Sequence, residues 1–86
     1  MEIEFSQRAL LDLEKFRKSG NKKIQQKITD ITNSILKTPF DGIGKPEPLK
    51  YGMTGLWSRR ISKGDRYVYE VQEQLIVVHS LRGHYE

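Results

Sequence analysis

The run Pro39-Phe40-Asp41-Gly42-Ile43-Gly44-Lys45-Pro46-Glu47-Pro48 holds all three prolines of the chain and two of its seven glycines. Proline removes a backbone donor and fixes φ, and glycine weakens regular structure, so the run admits neither a regular helix nor a central strand. It cuts the chain into two halves that must fold by different rules. Prolines on both sides of Glu47 restrict the backbone before folding, which lowers the entropy lost in ordering it. The run therefore reads as a shaped loop suited to holding one carboxylate still.

Ahead of the loop, Glu2 to Phe5 read as a short strand, and Ser6 is placed to cap a helix. Ala9, Leu10, Leu13 and Phe16 then recur at helical spacing as an expected buried stripe that ends at Ser19-Gly20-Asn21. From Lys22, the residues Ile24, Ile28, Ile31 and Ile35 repeat at intervals of four, three and four, with Lys23, Gln26, Lys27 and Asp30 on other faces. This second helix must stop before Thr38-Pro39, because a residue preceding proline is pushed out of the helical region. The two helices form a hairpin.

Behind the loop, strands are expected over residues 49–53, 56–62, 67–71 and 75–81, broken by Thr54-Gly55, Lys63-Gly64-Asp65 and Gln72-Glu73-Gln74. Connections this short impose antiparallel pairing. Leu75-Ile76-Val77-Val78 is apolar on both parities and is expected to be covered on both sides, whereas Trp57-Ser58-Arg59-Arg60-Ile61 is amphipathic. Tyr67 and Tyr69 are expected to pack against the helices, and Phe40 to anchor the loop. The fold class is α+β, with an N-terminal strand and a helical hairpin packed on a twisted antiparallel sheet.

At 86 residues the chain reads as one domain, too small for a deep enclosed cavity. The absence of cysteine removes disulfides, thiolate nucleophiles and zinc–thiolate sites together, and fits a reducing compartment. The acidic start Met1-Glu2-Ile3-Glu4-Phe5 is unlike a signal peptide and no stretch is apolar enough to span a bilayer, so a cytoplasmic location without membrane contact is expected. A net charge of +4 favours polyanionic partners without identifying one.

One carboxylate, several permanent cations and an imidazole are what cleavage of an RNA phosphodiester by side chains alone requires. A 2′-hydroxyl loses a proton, a 5′-oxygen gains one, and charge building on phosphorus is met by cations. Glu47 is the candidate base; cations beside it, such as Lys45 and Lys50, favour its ionised form and so weaken it as a base, leaving positioning as the source of any advantage. Arg59 and Arg60 are adjacent on a strand, so they point to opposite faces and only one joins a given site. If Arg66 shares a face with that one, the two make a phosphate clamp; solvated strand arginines are the competing reading. His84 is the natural proton donor near neutral pH. His79, inside an apolar strand, reads as a hydrogen-bonded core-edge residue, and two histidines without suitably spaced carboxylates do not suggest a metal site. Tyr85 and Trp57 are able to stack on bases, and Trp57 serves equally as core.

Thr38-Pro39-Phe40, Gly42, Gly44-Lys45-Pro46-Glu47-Pro48-Leu49-Lys50, Thr54-Gly55, Trp57-Ser58-Arg59-Arg60-Ile61, Arg66, Val68-Tyr69 and His84-Tyr85 together resemble the YoeB/Txe toxins of the RelE/ParE toxin–antitoxin superfamily. The resemblance runs through nearly the whole chain. It implies a RelE/ParE-like, microbial-RNase-like fold and a ribosome-dependent mRNA endonuclease that cuts the codon in the A site of the 70S ribosome, with no metal and no cofactor. It implies Glu47 as general base, His84 as general acid and Arg66 as the arginine that stabilises the transition state. Lys50 and Arg60 match phosphate-contacting positions and Tyr85 the terminal tyrosine; Arg59 and Lys45 are added as neighbouring cations expected to face RNA. Implied partners are mRNA, the ribosome and a YefM/Phd-like antitoxin with a flexible acidic C-terminal segment, in a homodimer or a toxin–antitoxin hetero-oligomer.

Two positions depart from the family pattern. The chain continues past His84-Tyr85 to Glu86, and Asp65 stands where relatives often carry histidine, so an ion pair of Asp65 with Arg66 is an expectation to test. Two other functions compete. A ParE-like gyrase inhibitor shares the fold but needs no acid–base pair, and a ribosome- or RNA-binding module docks on phosphate without cutting.

Overall fold

The computed structural model describes residues 1–50 and 55–83. In chain order these form strand β1 (Glu2–Phe5), helices α1 (Gln7–Ser19) and α2 (Lys22–Lys37), and strands β2 (Glu47–Pro48), β3 (Leu56–Arg60), β4 (Arg66–Val71) and β5 (Leu75–Ser80). The strands make one sheet in the order β1-β5-β4-β3-β2, and the helices supply the apolar layer that packs against it.

Local chemistry sets the helix ends. The Ser6 hydroxyl accepts the Ala9 amide at 3.1 Å and donates to the His79 carbonyl at 2.8 Å, so one cap also ties the start of α1 to β5. Gly20 closes α1 in the left-handed region at φ 73°, where a side chain would be strained. Asn21 then caps α2 by accepting the Ile24 amide at 3.1 Å. Thr38 leaves the helix in extended geometry, as a residue before proline must. The hairpin expected from spacing is present with its boundaries.

The core forms where the isoleucine stripe of α2 and the inward residues of α1 meet the sheet. Ile28, Ile31, Ile35, Ala9 and Phe16 are buried with Tyr67, Tyr69, Ile76, Val78 and Leu81. The Tyr67 hydroxyl shares a 2.7 Å hydrogen bond with Thr32, which satisfies a phenol that would otherwise be stranded in the apolar layer. Burial pushes Tyr67 up to about 12, against the opposing effect of that hydrogen bond.

Four features differ from expectation. Strand β1 joins the edge of the sheet parallel to β5, pairing Ile3 with Ile76 and Phe5 with Val78, so the sheet is mixed; β2 to β5 are antiparallel. The helical hairpin provides part of the long crossover that a parallel neighbour needs. Leu10 is 53% exposed because it lies one residue, about 100° of helix, beyond Ala9. The inward position is taken by Asp12, whose carboxylate accepts the Leu81 amide at 3.0 Å. In β5 only Ile76, Val78 and Ser80 are buried, while Leu75, Val77 and His79 are half-buried, because the helices cover one face of the sheet. His79 meets Glu70 at 3.1 Å as an edge residue. Finally, pairing of β2 begins at Glu47 rather than Leu49, on an edge where Pro48 need not donate; residues 51–53 of the expected strand lie outside the described residues.

Candidate active site

The face of the sheet away from the helices carries the site. Glu47 on β2 is directly opposite Ser58 on β3, Ser58 is opposite Val68 on β4, and Arg60 is opposite Arg66. Directly opposed residues share a face, so Glu47, Ser58, Arg60 and Arg66 lie on one surface and Trp57, Arg59 and Tyr69 on the other. The Arg66 Nη1 donates to Glu47 Oε1 at 3.0 Å, reaching from β4 across β3 to β2. The side chain of Arg66 is 19% exposed and that of Glu47 is 58% exposed, so the guanidinium is the fixed partner and the carboxylate the accessible one. Two residues 19 apart in sequence, both proposed for chemistry from the sequence, are thus in direct contact.

The proline–glycine loop lies flush against β3. Gly44 has φ 81°, and a Cβ there would come within 3.1 Å of the Arg59 Cβ and 3.2 Å of the Arg60 carbonyl oxygen. Only glycine permits this approach without displacement. The Gly44 carbonyl accepts the Arg60 amide at 2.6 Å, and Lys45 follows at φ 51° with an exposed side chain. Lys45, Arg60 and Lys63, with Lys27 of α2, line an open cavity of about 380 Å³ at the loop end of β3. Lys50 is exposed just beyond β2. Four cations around one depression attract a phosphate chain.

Arg59 is not part of this surface, which corrects its expected contact with RNA. It is fully buried. Its Nη1 donates to Ser34 Oγ at 2.7 Å and the Ile43 carbonyl at 3.1 Å, and its Nη2 to the carbonyls of Thr38 and Asp41, both at 2.8 Å. Its Nε donates to the Tyr69 hydroxyl at 3.1 Å, which in turn donates to the Pro39 carbonyl at 2.7 Å. All five donors of the fork are spent on fastening residues 38–43 to α2 and the sheet. Burial raises the Tyr69 phenol, and the hydrogen bond from Arg59 opposes that rise. Phe40 and Trp57 add a ring contact at 4.9 Å on the same loop, so Trp57 packs rather than standing free.

Asp65 does not pair with Arg66 as expected. One of its oxygens accepts the Ser62 hydroxyl and the other the Gly83 amide, each at 3.1 Å. The Arg66 amide donates to the Gly83 carbonyl at 3.2 Å. Gly83 is therefore gripped from both sides by the residues next to and including the site arginine, and Arg82 places its guanidinium 6.0 Å over the Phe16 ring. His84, Tyr85 and Glu86 lie outside the described residues. Asp12 and Asp65 both hold backbone amides after β5; the sequence reading missed the first and assigned the second a different partner. The one signal was an acid placed between Ala9 and Phe16 in an apolar stripe.

Comparison with known proteins defines first a class, the toxins of bacterial type II toxin–antitoxin systems. The toxin YoeB of Synechocystis is 40% identical over 86 residues, covering 100% of this chain and 99% of that one. A YoeB dimer from Staphylococcus aureus superposes with a TM-score of 0.90 at 40% identity, covering 99% and 98% of the two chains. A YoeB–YefM complex from the same organism gives 0.86 at 42% identity, covering 96% and 95%. The family profile described as YoeB-like toxin of bacterial type II toxin-antitoxin system matches residues 5–85, and the chain belongs to that family.

Proposed function

We propose that this toxin is an endoribonuclease that cleaves mRNA in the ribosomal A site. The observation that carries the proposal is the 3.0 Å contact of Glu47 with Arg66 on the sheet face that also carries Arg60, with Lys45 and Lys50 exposed two and three residues from Glu47 in the chain. A carboxylate and a guanidinium side by side supply a proton acceptor and a match for phosphorane charge in one place. Glu47 takes the proton of the 2′-hydroxyl as that oxygen attacks the adjacent phosphorus. Arg66 and Arg60 bear on the charge of the non-bridging oxygens. His84 gives its proton to the departing 5′-oxygen, and the products are a 2′,3′-cyclic phosphate and a 5′-hydroxyl. Side chains alone complete the proton balance.

The same surface serves regulation in this proposal. A YefM-like antitoxin is proposed as partner from the YoeB–YefM complex of Staphylococcus aureus, and an acidic segment of it would occupy the cations that hold RNA. Self-association is proposed from the YoeB dimer of that organism. Action on ribosomes places the protein in the cytoplasm, and no helix among the described residues is long and apolar enough to cross a membrane.

Primer extension on a defined mRNA in a purified translation system tests the proposal, with wild type beside Glu47→Ala and His84→Ala and a control without ribosomes. New 5′ ends within the A-site codon, seen only with ribosomes and lost in both variants, are expected. Stalled translation on intact mRNA would instead indicate a ribosome-binding blocker, and normal translation a target such as gyrase.

A further inference from the structure

Ser58 sits at the centre of the site face, between Glu47 on one neighbouring strand and Val68 on the other. It is 1% exposed, and its Oγ has no hydrogen-bond partner among the described residues. Buried hydroxyls are nearly always paired, so an unpaired one calls for a physical reason. The Glu47–Arg66 ion pair supplies the reason. It bridges β2 to β4 over β3, and its path crosses the strand beside Ser58. Arg66 commits Nη1 to Glu47 Oε1 at 3.0 Å, which holds the carboxylate toward β4 while the hydroxyl of its directly opposed residue, Ser58, stays unpaired.

We infer that Ser58 is a positioning residue for Glu47, held in reserve in the free toxin and engaged when a phosphate draws Arg66 away from the carboxylate. This rests on the assignment of Glu47 as general base. A phosphate diester offers the arginine fork two oxygens in a matching plane, a better partner than one oxygen of a carboxylate that is 58% exposed. Once Arg66 turns to phosphate, Glu47 Oε1 loses its donor. The β-carbons of directly opposed strand residues lie about 4.5–5.5 Å apart, which puts the Ser58 hydroxyl within reach of that oxygen after a rotamer change. Ser58 then donates to one carboxylate oxygen and leaves the other to receive the 2′-hydroxyl proton. The exchange aims the carboxylate at the 2′-hydroxyl only when the phosphate is in place.

The test is a kinetic cycle on ribosomes programmed with a defined A-site codon, with Ser58→Ala, Glu47→Ala and the double variant under single-turnover conditions. Ser58→Ala is expected to lower the cleavage rate about tenfold, the worth of one hydrogen bond to a charged acceptor, with the ribosome concentration at half-maximal rate unchanged. In the Glu47→Ala background the same substitution is expected to cost nothing further, because its effect passes through that carboxylate. The thermal midpoint of Ser58→Ala should equal or exceed wild type, since the change removes an unpaired buried hydroxyl. Wild-type cleavage by Ser58→Ala, or the same loss with and without Glu47, would overturn the inference. Wild-type cleavage by Glu47→Ala would overturn the assignment of the base, a separate failure.

Discussion

Replacing Arg59 with methionine should destabilise the protein by about 3 kcal/mol, while the same change at its neighbour Arg60 should leave stability within about 0.5 kcal/mol. The difference follows from which face each side chain takes. Arg59 is fully buried and donates to the carbonyls of Thr38, Asp41 and Ile43 and the hydroxyls of Ser34 and Tyr69. Removing one partner from a buried charged network costs about 3–5 kcal/mol. The lower end applies here, because the orphaned groups are neutral and Thr38 and Asp41 are exposed enough to turn toward water. An 86-residue chain has only about 4–13 kcal/mol to lose. With about 4–8 °C of melting temperature per kcal/mol at this size, Arg59→Met should melt about 12–24 °C below its parent. Thermal and urea unfolding of both variants in a Glu47→Ala background, which spares the expression host, make the comparison. Equal stability of the two variants would refute the role given to Arg59, and a destabilised Arg60→Met would refute the assignment of faces.

Asp65→Ala frees Gly83 and should slow A-site cleavage about tenfold for the loss of one hydrogen bond to a carboxylate, whereas Asp65→Asn keeps an acceptor for the Gly83 amide and should stay near wild type; single-turnover rates beside melting curves separate the two. Of the four tyrosines, Tyr67 and Tyr69 should ionise late, Tyr67 at about 12, in an absorbance titration at alkaline pH. Their folded values lie above the unfolded value of about 10, so the unfolded chain sheds these protons first. Stability should therefore be whole below pH 10 and decline as pH rises from about 10 to about 12, as urea midpoints across that range would show. Ile35→Ala, which empties a fully buried position between α2 and the sheet, should cost about 2–5 kcal/mol in the same unfolding assay.

Much of this architecture was legible because it is periodic. The isoleucine spacing of α2, the caps Ser6 and Asn21 and the stop at Thr38-Pro39 each have a local cause, and local causes can be read from a few residues at a time. The pairing of β1 with β5 has none. It joins residues more than seventy positions apart, and nothing in Glu2-Ile3-Glu4-Phe5 encodes a parallel partner. Parity placed Arg59 and Arg60 on opposite faces, but it could not say which face the helices cover, and a buried arginine is the rarer arrangement. Only the carbonyls that loop 38–43 turns inward make that burial tolerable. Glu47 and Arg66 were legible as chemistry-bearing types, and their contact became visible only with the register of β2, β3 and β4. Ser58 and Asp65 carry no signature, because a serine in a strand and an aspartate in a turn are common, and their roles lie in what neighbouring strands bring to them.

The chemistry of the RNA ends left on a programmed ribosome decides whether Glu47 and Arg66 act as a nuclease. If Glu47 and Arg66 drive attack by the 2′-hydroxyl, the upstream fragment should end in a 2′,3′-cyclic phosphate and the downstream fragment in a 5′-hydroxyl. Both should disappear with Glu47→Ala. Ends carrying a 5′-phosphate, or unchanged cleavage by Glu47→Ala, would contradict the account.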